Sequence, residues 1–154
     1  RCSMNQIVIQ ISAAFFGSIG FAIFLKIKGV QIFYAGLGGM LTWGIYLLAY
    51  EFIQSYFFGN LIAAIFVAAY AEIMARVNKA PSTIFLTAAA IPLIPGSNLY
   101  GMMYSLVNQD YAAANTDGIT ALVISLAIGL GFVIVAVVNR YLTEFLKRIH
   151  SGKN

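Results

Sequence analysis

The fold is decided by an interruption in one apolar run, where residues 91–98 read IPLIPGSN. A proline removes one backbone N–H donor, and its ring clashes with the carbonyl four residues earlier. Pro92 and Pro95 lie three residues apart and are followed at once by Gly96. This combination predicts a break in a helix, with a turn at Pro95 and Gly96, near the middle of the run at residues 83–107.

The composition around this break is that of a membrane protein. Of 154 residues, 61% are hydrophobic and only 9% are charged, whereas soluble domains carry roughly 25% charge. Lipid must therefore be the solvent for most of the surface. The net charge of +4 is spread thinly between apolar runs, which does not fit a nucleic-acid-binding surface and fits basic residues that flank membrane spans.

A bilayer span needs roughly 20 mostly apolar residues. On that basis the sequence predicts a single transmembrane domain over residues 1–154, an all-α polytopic helix bundle of about five helices. The fourth helix is predicted to be interrupted at Pro92, Pro95 and Gly96. The predicted spans are residues 5–25, 30–50, 56–77, 83–107 and 119–141, and residues 112–120 are predicted to form a loop.

The basic residues predict the orientation of these spans. Eight of the nine lie in three segments that share one side of the membrane: Lys26, Lys28, Arg76, Lys79, Arg140, Lys147, Arg148 and Lys153. Lysine and arginine mark the cytoplasmic face. The expected location is the cell membrane, with the N-terminus outside and the C-terminus in the cytoplasm.

The break supplies the candidate binding site. Free backbone groups at that depth are tolerated only where protein or a wet cavity surrounds them. A half-helix starting near Ser97 or Asn98, which are good N-cap residues, would present free N–H groups to a carboxylate. The predicted substrate-binding residues are Pro95, Gly96, Ser97, Asn98, Tyr100 and Tyr104. A kink that only improves helix packing is an equal alternative.

Glu72 is the one carboxylate well inside an apolar run. Acids inside the membrane are candidates for proton or ion coupling. Arg76 follows one helical turn later, in the order that favours a pair. Glu72 and Arg76 are therefore predicted to form a structural ion pair, with a coupling role as the alternative.

Small residues at helical spacing predict close contacts between helices, because lipid gives no hydrophobic drive for helix pairing. In the second predicted span these are Gly36, Gly38 and Gly39, and in the fifth they are Gly129 and Gly131. A hinge or a pore-lining face is the functional alternative.

Residues 78–103, from Asn78-Lys79-Ala80-Pro81 through IPLIPGSNLYGMM, resemble the signature of the threonine/serine exporter family. The chain is most similar to the small membrane subunit of the two-component, succinate-exporter-like members. The resemblance implies a secondary exporter of small carboxylated metabolites, either threonine and serine or dicarboxylates such as succinate. It also implies a larger membrane subunit as partner, which carries the family's histidine signature, since His150 is the only histidine here.

Two other functions stay open at this point: a non-transporting accessory or scaffold subunit, and a channel formed by a homo-oligomer. An enzyme is not expected. The sequence holds no metal-ligand cluster, nucleophile elbow or phosphate loop, so no catalytic residue, metal or cofactor is predicted.

Overall fold

The computed structural model describes residues 4–151, with side chains for residues 5–145. This part of the chain is helical throughout, apart from short connections. The elements are α1 (Met4–Phe24), α2 (Gln31–Ile53), α3 (Tyr56–Asn78), α4 (Ser82–Ala90), a 3-10 turn (Ile91–Leu93), α5 (Gly96–Val107) and α6 (Tyr111–Ser151).

Four helices, α1, α2, α3 and α6, are each long and apolar enough to cross a membrane. Residues 82–93 and α5 together meet the same test but are bent by 51° at the break. Counted as one broken span, this pair brings the total to five. The prediction of an all-α polytopic membrane bundle with an interrupted fourth helix is confirmed.

Two of the helix ends are set by residues in the left-handed conformation. Gln54 (φ 53°) ends α2 and donates its N–H to the carbonyl of Tyr50, and Lys79 (φ 50°) ends α3 in the same way on Ala75. Such a residue satisfies a carbonyl that the last turn leaves free. The connections that follow are short, so α2 and α3, and then α3 and α4, lie side by side.

Small residues let the bundle close tightly. A Cβ added at Gly38 of α2 would lie 2.6 Å from Cε1 of Tyr70 on α3 and 2.8 Å from Cβ of Ala89 on α4. A Cβ at Gly36 or Gly39 would come at least as close to side chains of α1, and Gly131 of α6 packs on α3. The predicted packing role is therefore confirmed at these four positions, whereas Gly129 has open space around it.

The last two helices are attached differently from the rest. α1, α2, α3 and α4 pack on one another, while α5 packs on α6, and α6 reaches the bundle through α3. α5 has no buried residue. With 41 residues, α6 is about 60 Å long, twice the thickness of a hydrocarbon core.

The predicted loop at residues 112–120 is wrong, because α6 begins at Tyr111. Asp110 caps this helix by accepting a hydrogen bond of 3.1 Å from the N–H of Ala113. The hydroxyls of Thr116 and Thr120 donate to carbonyls four residues earlier. The side chains of Asp110, Thr116 and Thr120 thus bond to the backbone of the helix and do not interrupt it.

The polar segment after residue 141 is also helical, as far as Ser151. The side chains of Lys147 and Arg148, and all of Lys153, lie outside the described residues, as do Arg1–Ser3.

Candidate functional site

The break is built from two consecutive tight turns. After the 3-10 turn, Ile94 is extended (φ −60°, ψ 128°) and donates its N–H to the carbonyl of Ile91 at 3.2 Å. The N–H of Gly96 then donates to the carbonyl of Ile94 at 2.7 Å, and α5 begins there. Within the described residues, the N–H groups of Ser97 and Asn98 have no partner, whereas that of Leu99 already bonds to Pro95.

The start of α5 differs from the prediction. Pro95, not Ser97 or Asn98, takes the cap position, and no side chain caps the helix. The pyrrolidine ring fixes φ of Pro95 at −75°, a value suited to entering a helix, so the helix begins one to two residues earlier than expected. Ser97 and Asn98 therefore lie in the first turn, and their backbone amides stay free.

The break lies beside the central turns of α3. Leu93, only 2% exposed, belongs to the buried cluster that includes Ala63, Ala64 and Val67. Val67 is the midpoint of the 23-residue α3. The chain therefore leaves its helical path halfway along a neighbouring span.

A cavity of about 270 Å³ adjoins the break. It lies between α1, α2 and the 3-10 turn, and Pro92 lines it together with Gln10 and Trp43. The indole N–H of Trp43 is 3.4 Å from Oε1 of Gln10, longer than a normal hydrogen bond. Sequence reasoning missed both residues. The only signals were the lone tryptophan and the two glutamines, Gln6 and Gln10, of an apolar helix.

The other predicted site residues do not line this cavity. Tyr100 and Tyr104 stack with ring centroids 6.3 Å apart and are 73% and 61% exposed. Ser97 precedes them by one turn and is also exposed, so the three hydroxyls share an outward face of α5. On another face of α5, a cleft of about 530 Å³ opens against α6, between Met102 and Asn115.

Glu72 and Arg76 form no direct ion pair, which corrects the prediction. Both turn toward Asn139 of α6 instead. The amide N–H of Asn139 donates to Oε2 of Glu72 at 2.8 Å, and the guanidinium of Arg76 donates to Oδ1 of Asn139. The amide lies between the charges because it bonds to both at once. These three residues adjoin a groove of about 210 Å³ between α3 and α6.

A comparison with models of protein families identifies the family of this chain. The family model described as "Threonine/Serine exporter, ThrE" matches residues 10–138, from the first turns of α1 to far along α6. The chain belongs to the threonine/serine exporter family. No curated protein and no solved structure was found to match it.

Membership makes this chain a multi-pass membrane protein of an exporter family. The match includes the break and its cavity as well as Glu72 and Arg76. Among the described residues, no group of three or more His, Cys, Asp and Glu side chains could hold a metal ion.

A first prediction for this exporter-family chain concerns the hydrogen bonds that Asn139 makes to Glu72 and Arg76. Asn139→Leu removes the donor to Glu72 and the acceptor for Arg76, and leaves the half-buried Glu72 carboxylate without its hydrogen-bond partner. We expect a loss of about 1–3 kcal/mol in the free energy of unfolding, measured by denaturation in detergent. Ser125→Ala is a control, because the Ser125 hydroxyl bonds only within its own helix. Equal stability of both variants would contradict the bridging role.

Proposed function

We propose that this chain is the membrane subunit of a secondary exporter of small carboxylated metabolites, such as threonine and serine or dicarboxylates like succinate. The observation that carries the proposal is the broken helix beside the central turns of α3, with two backbone N–H groups left free at its restart. Family membership supports export in general.

The start of α5 is suited to a carboxylate. The free N–H groups of Ser97 and Asn98 and the aligned peptide dipoles of the 12-residue helix give this end a partial positive charge of about half a unit. Pro95 and Gly96 hold the turn that exposes it. A Cβ at Gly96 would meet nothing within 4 Å, so there is room beside the helix end. Tyr100 and Tyr104 extend the proposed site along α5 with hydroxyl groups.

The outward face of α5 supports a partner. Hydroxyl groups exposed to hydrocarbon without hydrogen bonds cost free energy, so Ser97, Tyr100 and Tyr104 need water or protein beside them. A larger membrane subunit of the same family would cover this face and add the spans that a five-span chain lacks for two matched halves. A second copy of this chain is the alternative cover.

The orientation follows from the basic residues. Lys26 and Lys28 follow the end of α1, and Arg76 and Lys79 lie at the end of α3. Arg140 lies toward the end of α6. By the positive-inside rule these ends are cytoplasmic. The proposed arrangement is one transmembrane domain in the cell membrane, with the N-terminus outside, the C-terminus inside and the break near the bilayer midplane.

Water accessibility tests the site directly. In a Cys2→Ser background, Ser97→Cys should react with a membrane-impermeant thiol reagent, and substrate should slow the reaction, because the proposed site is wet. Val133→Cys, on the exposed apolar side of α6, should stay unreactive in lipid. An unreactive Ser97→Cys in the assembled complex would support the scaffold alternative, in which the break is dry.

Reconstitution of the chain together with its candidate partner subunit tests which substrate is exported. The chain would be placed in vesicles with its candidate larger subunit, and export of labelled threonine, serine and succinate would be followed with and without a proton gradient. We expect transport of at least one of the three only when both subunits are present. Absence of transport for all three, with both subunits correctly inserted, would contradict the proposed substrate class.

A further inference from the structure

The groove between α3 and α6 is a second polar site, separate from the break. Glu72, Asn139 and Arg76 line it, and its other walls are apolar, with Ile73 from α3 and Val135 and Leu142 from α6. An acid, an amide and a base are thus held together in an otherwise apolar groove, with Glu72 half-buried and Arg76 exposed.

The two charges keep unused bonding capacity. Glu72 accepts one hydrogen bond on Oε2, and its second oxygen has no partner among the described residues. Arg76 uses one of its five N–H donors. The two residues are one helical turn apart, about 6 Å, yet they do not neutralise each other directly. The groove therefore presents a negative and a positive group side by side, both able to bind more.

The bonding pattern of Asn139 shows which kinds of group the two charges bind, and the second Glu72 oxygen and the remaining Arg76 donors are free to bind the same kinds again. Its amide donates to Glu72 and accepts from Arg76. A zwitterion carries the same donor and acceptor as full charges: an ammonium for Glu72 and an anionic group for Arg76. Charge-assisted hydrogen bonds of this kind are about twice as strong as neutral ones.

We propose that the groove formed by Glu72, Arg76 and Asn139 binds a small zwitterionic group, with its ammonium on Glu72 and its anion on Arg76. A dicarboxylate lacks the ammonium and would be repelled by Glu72. A simple cation lacks the anion for Arg76. This proposal concerns a site outside the break, and it does not require that the chain transports anything.

Two sources supply this chemistry: a free α-amino acid, and the headgroup of phosphatidylethanolamine. Arg76 lies two residues before the end of α3 at Asn78, at the proposed cytoplasmic edge of the membrane. At this depth the groove is within reach of both dissolved solutes and lipid headgroups.

The test measures binding to the full-length protein. L-threonine, phosphoethanolamine, succinate and ethanolamine would each be titrated in detergent by calorimetry. The thermal midpoint would also be compared in nanodiscs of phosphatidylglycerol with and without phosphatidylethanolamine. We expect a zwitterion to bind in at least one format, and Glu72→Gln and Arg76→Gln each to weaken it about tenfold or more.

The glutamine variants isolate the charge. Each keeps one group able to hydrogen-bond Asn139, so the packing of α3 on α6 is retained, which a melting curve verifies. Arg140→Gln and Glu144→Gln are matched controls, since this base and acid are also four residues apart, with side chains 82% and 55% exposed respectively, and lie outside the groove. Both controls should bind within about twofold of the unmodified chain.

The outcomes separate the sources and the two sites. Threonine binding in detergent that Glu72→Gln weakens assigns a free amino acid. A midpoint raised only by phosphatidylethanolamine, and not in Glu72→Gln, assigns the lipid. Threonine that binds at the break instead is lost in a Pro92→Ala/Pro95→Ala double variant and unaffected by Glu72→Gln. That result, succinate or ethanolamine binding that Glu72→Gln or Arg76→Gln weakens as much as it weakens zwitterion binding, or no zwitterion binding in any format, would overturn the proposal. Succinate binding that is lost only in the Pro92→Ala/Pro95→Ala double variant belongs to the break.

Discussion

Replacing Pro92 and Pro95 together by alanine is expected to reduce export at least about tenfold. The two alanines restore two N–H donors and remove two ring clashes, so α4 and α5 can join into one helix and bury the free amides of Ser97 and Asn98. A favourable helix end contributes up to about 2 kcal/mol to anion binding, which corresponds to more than a tenfold change in affinity. Transport in vesicles containing both subunits measures the effect.

Pro81→Ala is the matched control. Pro81 precedes α4 (φ −61°, ψ 134°) and lies outside the break, so its replacement leaves the free amides in place. Export should stay within about twofold of the unmodified chain, since no part of the proposed site changes. Full-rate export by the double variant, at equal expression and assembly, would refute binding at the break.

Gly131→Leu is expected to cost about 3 kcal/mol or more in the free energy of unfolding. A Cβ at Gly131 would lie 2.6 Å from Cβ of Ala64 and 3.2 Å from the backbone nitrogen of Ile65. Backbone atoms of α3 cannot rotate away as a side chain can, so α6 must shift as a whole. Because α6 packs on the bundle through α3, this shift loosens both α6 and α5.

Gly129→Leu tests whether the loss comes from that contact. Gly129 lies two residues earlier in the same helix, and a Cβ there would meet nothing within 4 Å. Leucine also raises helix propensity over glycine by roughly 1 kcal/mol. Gly129→Leu should therefore be neutral or stabilising in an SDS titration. Similar destabilisation by both substitutions would mean that the α3–α6 contact is not what Gly131 provides.

The features that followed from local chemistry were predictable. Hydropathy gave the spans, and the ring constraint of Pro92 and Pro95 gave the break, since both effects act within a few residues. The same local reasoning misplaced the start of α5, because Pro95 itself serves as the entry to the helix. Periodicity alone could not decide whether Ser97 or the nearby Pro95 would take the N-cap position.

The features that depended on other helices were not predictable. Asp117 suggested a loop, but in the structure its carboxylate packs over Gly101 of α5, where the absence of a side chain leaves space. Asn139 lies 67 residues from Glu72, and no local pattern links them. It is one of the few amides in the apolar helices, and that was the only available signal for a polar contact between α3 and α6.

α5 and α6 form a hairpin that is attached to the bundle through the packing of α6 on α3, so a pivot about that contact would move the whole hairpin. A pivot at Gly131, where α6 lies close against α3, divides α6 into two arms. Tyr111 is 20 residues away on one side and Lys147 is 16 away on the other, which makes arms of about 30 Å and 24 Å. A rocking motion of about 10° would carry the two ends roughly 4–5 Å in opposite directions. Such a motion would open the gap between the hairpin and the bundle on one side of the membrane and close it on the other.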